Sequence, residues 1–192
     1  MIRIRFARCL SLSVLALLLA GCASHTAVKT LQRPDQPDAP FAFNGRVAVK
    51  HDGERSSANL RWTHNASEDE ILLLAPLGQT VARIHRDPQG VTLDASGKRH
   101  AAQDAEALTQ QVLGWSLPLS GLRYWVVALP ANGSTFDMQR DANGQATLLR
   151  QDGWEINYSH YATGAANSLP MRLALRREKL EILILIDEWE KQ

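Results

Sequence analysis

From Phe41 onward the chain alternates apolar and polar positions with a period of two. Phe41, Phe43, Gly45, Val47 and Val49 share one face, the spacing of a half-buried β-strand. Asp52-Gly53 marks a turn, and Ala58, Leu60 and Trp62 resume the alternation, so this stretch reads as a β-hairpin. Residues 69–74 (DEILLL) predict a third strand. Ala75-Pro76-Leu77-Gly78 interrupts it before Thr80 to Arg86 takes up the pattern again. Asp87 to Gly90 turns the chain, and Val91 to Ala95 forms a fifth short run.

The period then changes. Asp104 is placed as an N-cap, Glu106 puts negative charge in a first helical turn, and Ala105, Leu108 and Val112 make one stripe closed by Gly114. After Pro118 a second short helix is expected from about Ser120 to Ala128, with Leu122, Trp125 and Val126 on a shared side. Alternation returns at Thr135 to Arg140 and Gln145 to Gln151, around Asp141-Ala142-Asn143-Gly144. Trp154, Ile156 and Tyr158 follow, and a last hairpin pairs Met171 to Arg176 with Leu180 to Asp187. Roughly ten strands with one helical interruption predict a mainly β domain. One large antiparallel sheet curls, and the helices cover its open face.

The first forty residues follow neither period. Arg3, Arg5 and Arg8 precede an apolar run from Leu10 to Ala20, the order of a secretory signal and too short for a comfortable transmembrane helix. Its end, Leu19-Ala20-Gly21-Cys22, resembles the bacterial lipobox. The resemblance implies cleavage before Cys22 and acylation of that cysteine; the alternative is a plain signal with Cys22 incidental. Ala23, where an Asp would signal retention in the inner membrane, favours the outer membrane. Residues 23–40 hold three prolines and little periodicity, the composition of a flexible tether. The expected organisation is a signal at 1–21, a lipidated cysteine and tether at 22–40, and a domain at 41–192.

Charge and cysteine content narrow the function. Three of the 21 basic residues and none of the 20 acidic ones lie in residues 1–21, leaving 18 basic against 20 acidic. No basic surplus points to nucleic acid. Both cysteines, Cys9 and Cys22, precede the domain, which therefore stands on core packing without a disulfide. The six histidines include no pair at metal-ligand spacing. Ser159-His160 are strand neighbours pointing to opposite faces, and no nucleophile–base–orienter set can be assembled. The prominent residues are five tryptophans. They fit core packing, preferred for Trp189, or the lining of a lipid pocket.

In order along residues 41–190 stand Gly45-Arg46-Val47-Ala48-Val49, a strand ending at Trp62, Ala75-Pro76-Leu77-Gly78, Asp104-Ala105-Glu106, and Leu117-Pro118-Leu119 leading to Leu122-Arg123-Tyr124-Trp125. Gly153-Trp154 with Tyr158, Leu169-Pro170 and the terminal Trp189 complete the series. In this order the chain resembles the LolB family of outer-membrane lipoprotein receptors. The resemblance implies an incomplete antiparallel β-barrel of about 10–11 strands, with a short helical lid over an apolar cavity. It implies a monomer that accepts acylated lipoproteins from the periplasmic carrier LolA and inserts them into the inner leaflet of the outer membrane, facing the periplasm, with no cofactor or metal and no enzymatic step. The alternative is a lipid-binding or scaffolding envelope lipoprotein of the same fold without insertion activity. Periodicity and the resemblance together nominate Trp62, Leu73, Leu122, Trp125 and Trp154 as acyl-chain contacts. From the turn context alone Leu77 either folds back onto the core or stands exposed; the family's corresponding leucine protrudes and is linked to membrane delivery, which nominates Leu77 for insertion. Two departures stand out. Relatives often carry a helix before the first strand, where this chain is short and proline-rich. Ala128 occupies a position usually held by Gly, so the second helix is expected to end slightly later.

Overall fold

The structure is a computed structural model and describes residues 32–34, 36 and 39–190. The signal segment and Cys22 lie outside the described residues, as do residues 191–192. Among the described residues, eleven strands and two helices follow one another. They are β1 (Phe41–His51), β2 (Glu54–Asn65), β3 (Glu68–Leu74), β4 (Thr80–Asp87), β5 (Gly90–Ala95), β6 (Lys98–Ala102), α1 (Ala105–Leu113), α2 (Leu119–Trp125), β7 (Phe136–Arg140), β8 (Ala146–Gln151), β9 (Trp154–Tyr161), β10 (Pro170–Arg177) and β11 (Leu180–Trp189). All pair antiparallel in one sheet of order β6-β5-β4-β3-β2-β1-β11-β10-β9-β8-β7. The first and last strands therefore meet in the middle, and the free edges are β6 and β7. The chain crosses from one edge to the other through the helices, so the barrel is unclosed.

The alternation read in the sequence is the alternation of the wall. Val47 stands opposite Ala58 on one side and Ile184 on the other. Leu60 faces Leu73, Trp62 faces Ile71, and Ile71 faces Ile84. One pairing depends on a glycine. At Asn44/Gly45 the β1–β11 register slips by one residue. A Cβ on Gly45 would stand 2.1 Å from the Leu185 carbonyl oxygen, so only glycine allows the bulged strand to approach.

The antiparallel order sorts the connections to two ends. The β1–β2, β3–β4, β5–β6, β8–β9 and β10–β11 connections, with Leu77 among them, share one end. The other end holds the beginning of β1 and the end of β11. There Phe41, Phe43, Trp62, His64 and Trp189 pack ring on ring, with centroids 4.8 to 6.2 Å apart. Trp189 also donates its indole N–H to the Pro170 carbonyl at 3.0 Å and belongs to the core. Within the stretch expected to be tether, Gln32 bridges to Ser168 and the Arg33 amide donates to the Asn167 carbonyl at 2.6 Å. The described part of residues 32–40 contains no helix.

Helix α1 begins and ends as its residues dictate. The Asp104 carboxylate accepts from the Ala107 amide at 2.7 Å, and Gly114 closes the helix at φ 79°. Helix α2 ends earlier than expected. Ala128 adopts a left-handed φ of 58°, and the Leu129 amide donates to the Tyr124 carbonyl at 3.1 Å. That is the bond pattern of a Schellman stop. Ala128 does here what Gly usually does; its helix propensity does not extend the helix.

Candidate functional site

Beneath the helices lies an apolar cavity of about 280 Å³. The inward positions of β1, β2, β3 and β11 form one wall, and α2 with the link from Gly114 to Pro118 forms the other. Ser56 and Ser57 stand near the β1–β2 turn, with Leu113 and Trp115 across from them. Leu113 is 45% exposed, and it marks the opening. The cavity therefore opens at the end that carries Leu77, while the aromatic cluster closes the other. Its wall offers the Ser56 hydroxyl and the Trp62 indole N–H, which is already engaged.

That engagement fixes the floor. The Trp62 Nε1–H donates to Asp69 Oδ1 at 2.9 Å, His64 Nδ1 meets the same oxygen at 2.8 Å, and Arg86 Nε donates to Oδ2 at 2.5 Å. Asp69 and His64 are fully buried. Burial pushes the Asp69 carboxyl up, but hydrogen bonds from His64, Trp62 and Arg86 outweigh it and hold the group below its ordinary value. This cluster escapes a sequence reading because its members belong to three strands. The visible signal is an acid at Asp69 on the inward side of an otherwise apolar strand.

Trp62, Leu73 and Leu122 line the cavity; Trp125 and Trp154 do not. The Trp125 ring folds back along its own helix over Gly121, where an added Cβ would stand 2.4 Å from it. There the indole donates to Gln151 Oε1 at 2.8 Å. Gln151 also accepts from the Ala131 amide and donates to the Ala131 carbonyl and Ser134 Oγ, each at 2.8 Å. Tyr158 donates its hydroxyl to the Trp125 carbonyl at 3.0 Å, and burial raises its pKa. Trp125 is thus the bolt that fastens α2 to β8 and β9. Trp154 packs behind it, with ring centroids 6.2 Å apart, and the Arg177 guanidinium lies over its ring at 5.9 Å. The sequence does not single out Gln151, or Leu113 and Leu117 as cavity residues, and offers Trp115 only as one of five tryptophans fitting either core or pocket. Leu113, Trp115 and Leu117 sit on a helix end and a link with no periodic pattern to assign a face.

The two helices are tied to each other. Thr109 Oγ1 accepts from the Leu117 amide at 2.8 Å, and Glu106 Oε1 accepts from the Ser120 amide at 3.1 Å. Leu77 stands apart from all of this. The Gly78 amide donates to the Ala75 carbonyl at 2.8 Å and the Ala75 amide to the Gln79 carbonyl at 2.9 Å, with Gly78 at φ 84°. This is a three-residue hairpin loop closed by a glycine bulge. Its backbone is satisfied internally, so its shape does not depend on Leu77, which is 85% exposed. Of the two placements open to this residue, the structure has the exposed one. Among the described residues no group of three or more His, Cys, Asp or Glu is arranged to hold a metal, and no helix is long and apolar enough to cross a membrane.

The fold and site define the class: an unclosed antiparallel barrel with an apolar cavity under a helical cover. The family model of outer membrane lipoprotein LolB matches residues 39–189. The outer-membrane lipoprotein LolB of Chromobacterium violaceum is 42% identical over 177 residues, covering 92% of this chain and 95% of its own. That of Nitrosomonas europaea is 38% identical over 187 residues, covering 91% and 88%. Among solved structures, a LolA superfamily protein from Nitrosomonas europaea covers 82% of this chain and 88% of its own, with 6% identity and a TM-score of 0.48, too distant a likeness to bear on function. The chain belongs to the outer membrane lipoprotein LolB family. It is an outer-membrane lipoprotein with a role in lipoprotein sorting.

Proposed function

We propose that the protein accepts acylated lipoproteins from the periplasmic carrier LolA and releases them into the inner leaflet of the outer membrane. The observation that carries this reading is the apolar cavity opening at the end that also bears the exposed Leu77. Exposing one CH₂ costs about 0.8 kcal/mol, so a long acyl chain represents on the order of 10 kcal/mol. A receptor without an energy source works by graded affinity, tighter than the carrier and weaker than the bilayer. No cofactor and no covalent step are needed, and the protein is read as a non-enzyme. Trp62, Leu73 and Leu122 are the acyl contacts, and Leu77 touches the bilayer. Cys22 carries the anchor after removal of residues 1–21, residues 22–40 connect it, and residues 41–192 do the binding.

The two helices that cover the cavity are joined by hydrogen bonds, so an incoming chain meets them as one cover. The test is direct. Carrier-bound lipoprotein is mixed with the protein, and the cargo's position is read by pull-down. Cargo moving to this protein supports the reading; cargo remaining on the carrier overturns it.

A further inference from the structure

A second crevice of about 400 Å³ lies beside the apolar one. It runs between the β1–β2 tip, the β10–β11 tip and the α1–α2 link, with Trp154 in its wall. Trp115 lines both spaces and is the partition between them. We infer that this crevice receives the polar part of an acylated protein: the ester and amide carbonyls of the acylated cysteine and the first peptide units after it. The inference rests on the acyl-holding reading above and adds a second subsite to it.

Chemistry favours the assignment. Acyl chains and peptide are joined at one residue, so a cargo with its chains in the apolar cavity presents its polar end at Trp115. On the far side of Trp115 stand donors without internal employment. Arg177 makes no ion pair among the described residues; its guanidinium rests on the Trp154 ring. Gln110 accepts through Oε1 from Ser116 Oγ at 3.3 Å, which leaves its amide N–H groups for an outside acceptor. The other basic side chains of the crevice already have a partner: Lys179 and His51 meet Asp52 at 3.0 and 3.6 Å. A guanidinium positioned over an aromatic ring and a primary amide suit carbonyl oxygens. The walls of the neighbouring cavity offer nothing comparable.

The experiment uses the full-length lipidated protein kept in solution by an amphipol, with no bilayer present to draw the probe out. The probes are two synthetic triacylated cysteine pentapeptides, one with a diazirine on an acyl chain and one with a diazirine on its third residue. The acyl probe should label the cavity around Leu73 and Leu122. The peptide probe should label Trp154, the α1–α2 link and the Arg177–Leu180 turn. Arg177→Ala should release the peptide about tenfold faster, as expected for losing one hydrogen bond to a charged group, with acyl labelling unmoved and Arg177→Lys restoring part of the retention. Acyl labelling in the cavity with peptide labelling scattered over the outer surface would overturn the second subsite alone. Acyl labelling that misses the cavity would overturn the reading beneath it.

Discussion

Replacing Leu77 separates membrane contact from folding and from cargo binding. Full burial of a leucine side chain contributes about 1.5–3 kcal/mol, and 85% of Leu77 is still in water. Nearly all of that free energy is therefore available to a bilayer and almost none is used in the fold. Leu77→Ala removes three carbons, which amounts to about 2 kcal/mol if the tip enters hydrocarbon. At 1.4 kcal/mol per factor of ten, transfer into vesicles should slow by about ten- to thirtyfold. The same substitution should change stability by less than about 0.5 kcal/mol, a melting shift under about 2 °C for a domain of this size. Flotation of labelled cargo with liposomes gives the transfer rate, pull-down from the carrier gives uptake, and circular dichroism gives the melt. Leu77→Phe should restore transfer. Equal losses at uptake and transfer, or a melting point several degrees lower, would make Leu77 a packing residue. An unchanged transfer rate would remove the loop from the mechanism.

Other substitutions test the remaining parts. Leu73→Glu puts a charge on the cavity wall at a half-buried site and should abolish cargo uptake while the protein still folds; Trp125→Gln should instead cost several kcal/mol of stability, seen as a lowered melting point. Gly45→Ala sets a methyl against the Leu185 carbonyl and should cost more than about 2 kcal/mol, or over about 4 °C in melting temperature. Asp69→Asn breaks a buried, triply bonded carboxylate and should cost about 3 kcal/mol near neutral pH. Because the folded pKa is depressed, the wild-type contribution is present above the unfolded value near 4 and is lost as pH falls through the folded value below it. Urea melts from pH 7 to 2 should therefore show the mutant's deficit shrinking in acid. Ala128→Gly relieves a left-handed alanine but deletes a fully buried methyl; the two effects, each about 1 kcal/mol, should leave the melting point nearly unmoved.

Much of this architecture is legible as residue pattern, and the misses have physical causes. The strands that bury one face on the core show it as alternation, and Asp52-Gly53 and Asp152-Gly153 announce their turns through positive-φ pairs. Strand β6 was not foreseen. Its sequence, KRHAA, carries no large apolar residue, because it is an edge strand lying mostly in solvent. Ser96-Gly97, both at positive φ, was the turn signal that could have found it. At the site, period two correctly sent Trp62 and Leu73 inward. It could not tell cavity from packed core, since both are inward and apolar. Trp125 illustrates the limit. Its helical stripe is right, but the direction of its ring depends on Gly121 beneath it and Gln151 across from it. Neither is visible as part of a period.

With Cys22 as the anchor and Leu77 as the bilayer contact, as proposed, the two-ended barrel constrains how the domain meets its own membrane. The cavity opening and Leu77 are at one end; the start of β1 and the Gln32–Ser168 bridge are at the other. Strand β1 has 11 residues, and at about 3.3 Å per step its ends lie about 33 Å apart along the strand. With Cys22 as the anchor, ten steps of at most about 3.6 Å separate it from Gln32, a reach of about 36 Å. While Gln32 stays on Ser168, the tether has little slack for bringing Leu77 to the bilayer that holds the anchor. A barrel standing on its anchored end would point Leu77 away from that bilayer. On the proposed reading, either the domain lies over onto the membrane or the Gln32–Ser168 bridge opens. The bridge consists of one short pairing and the Arg33 amide bond to Asn167. Lying outside the core, this contact is the one that the proposed delivery step would open.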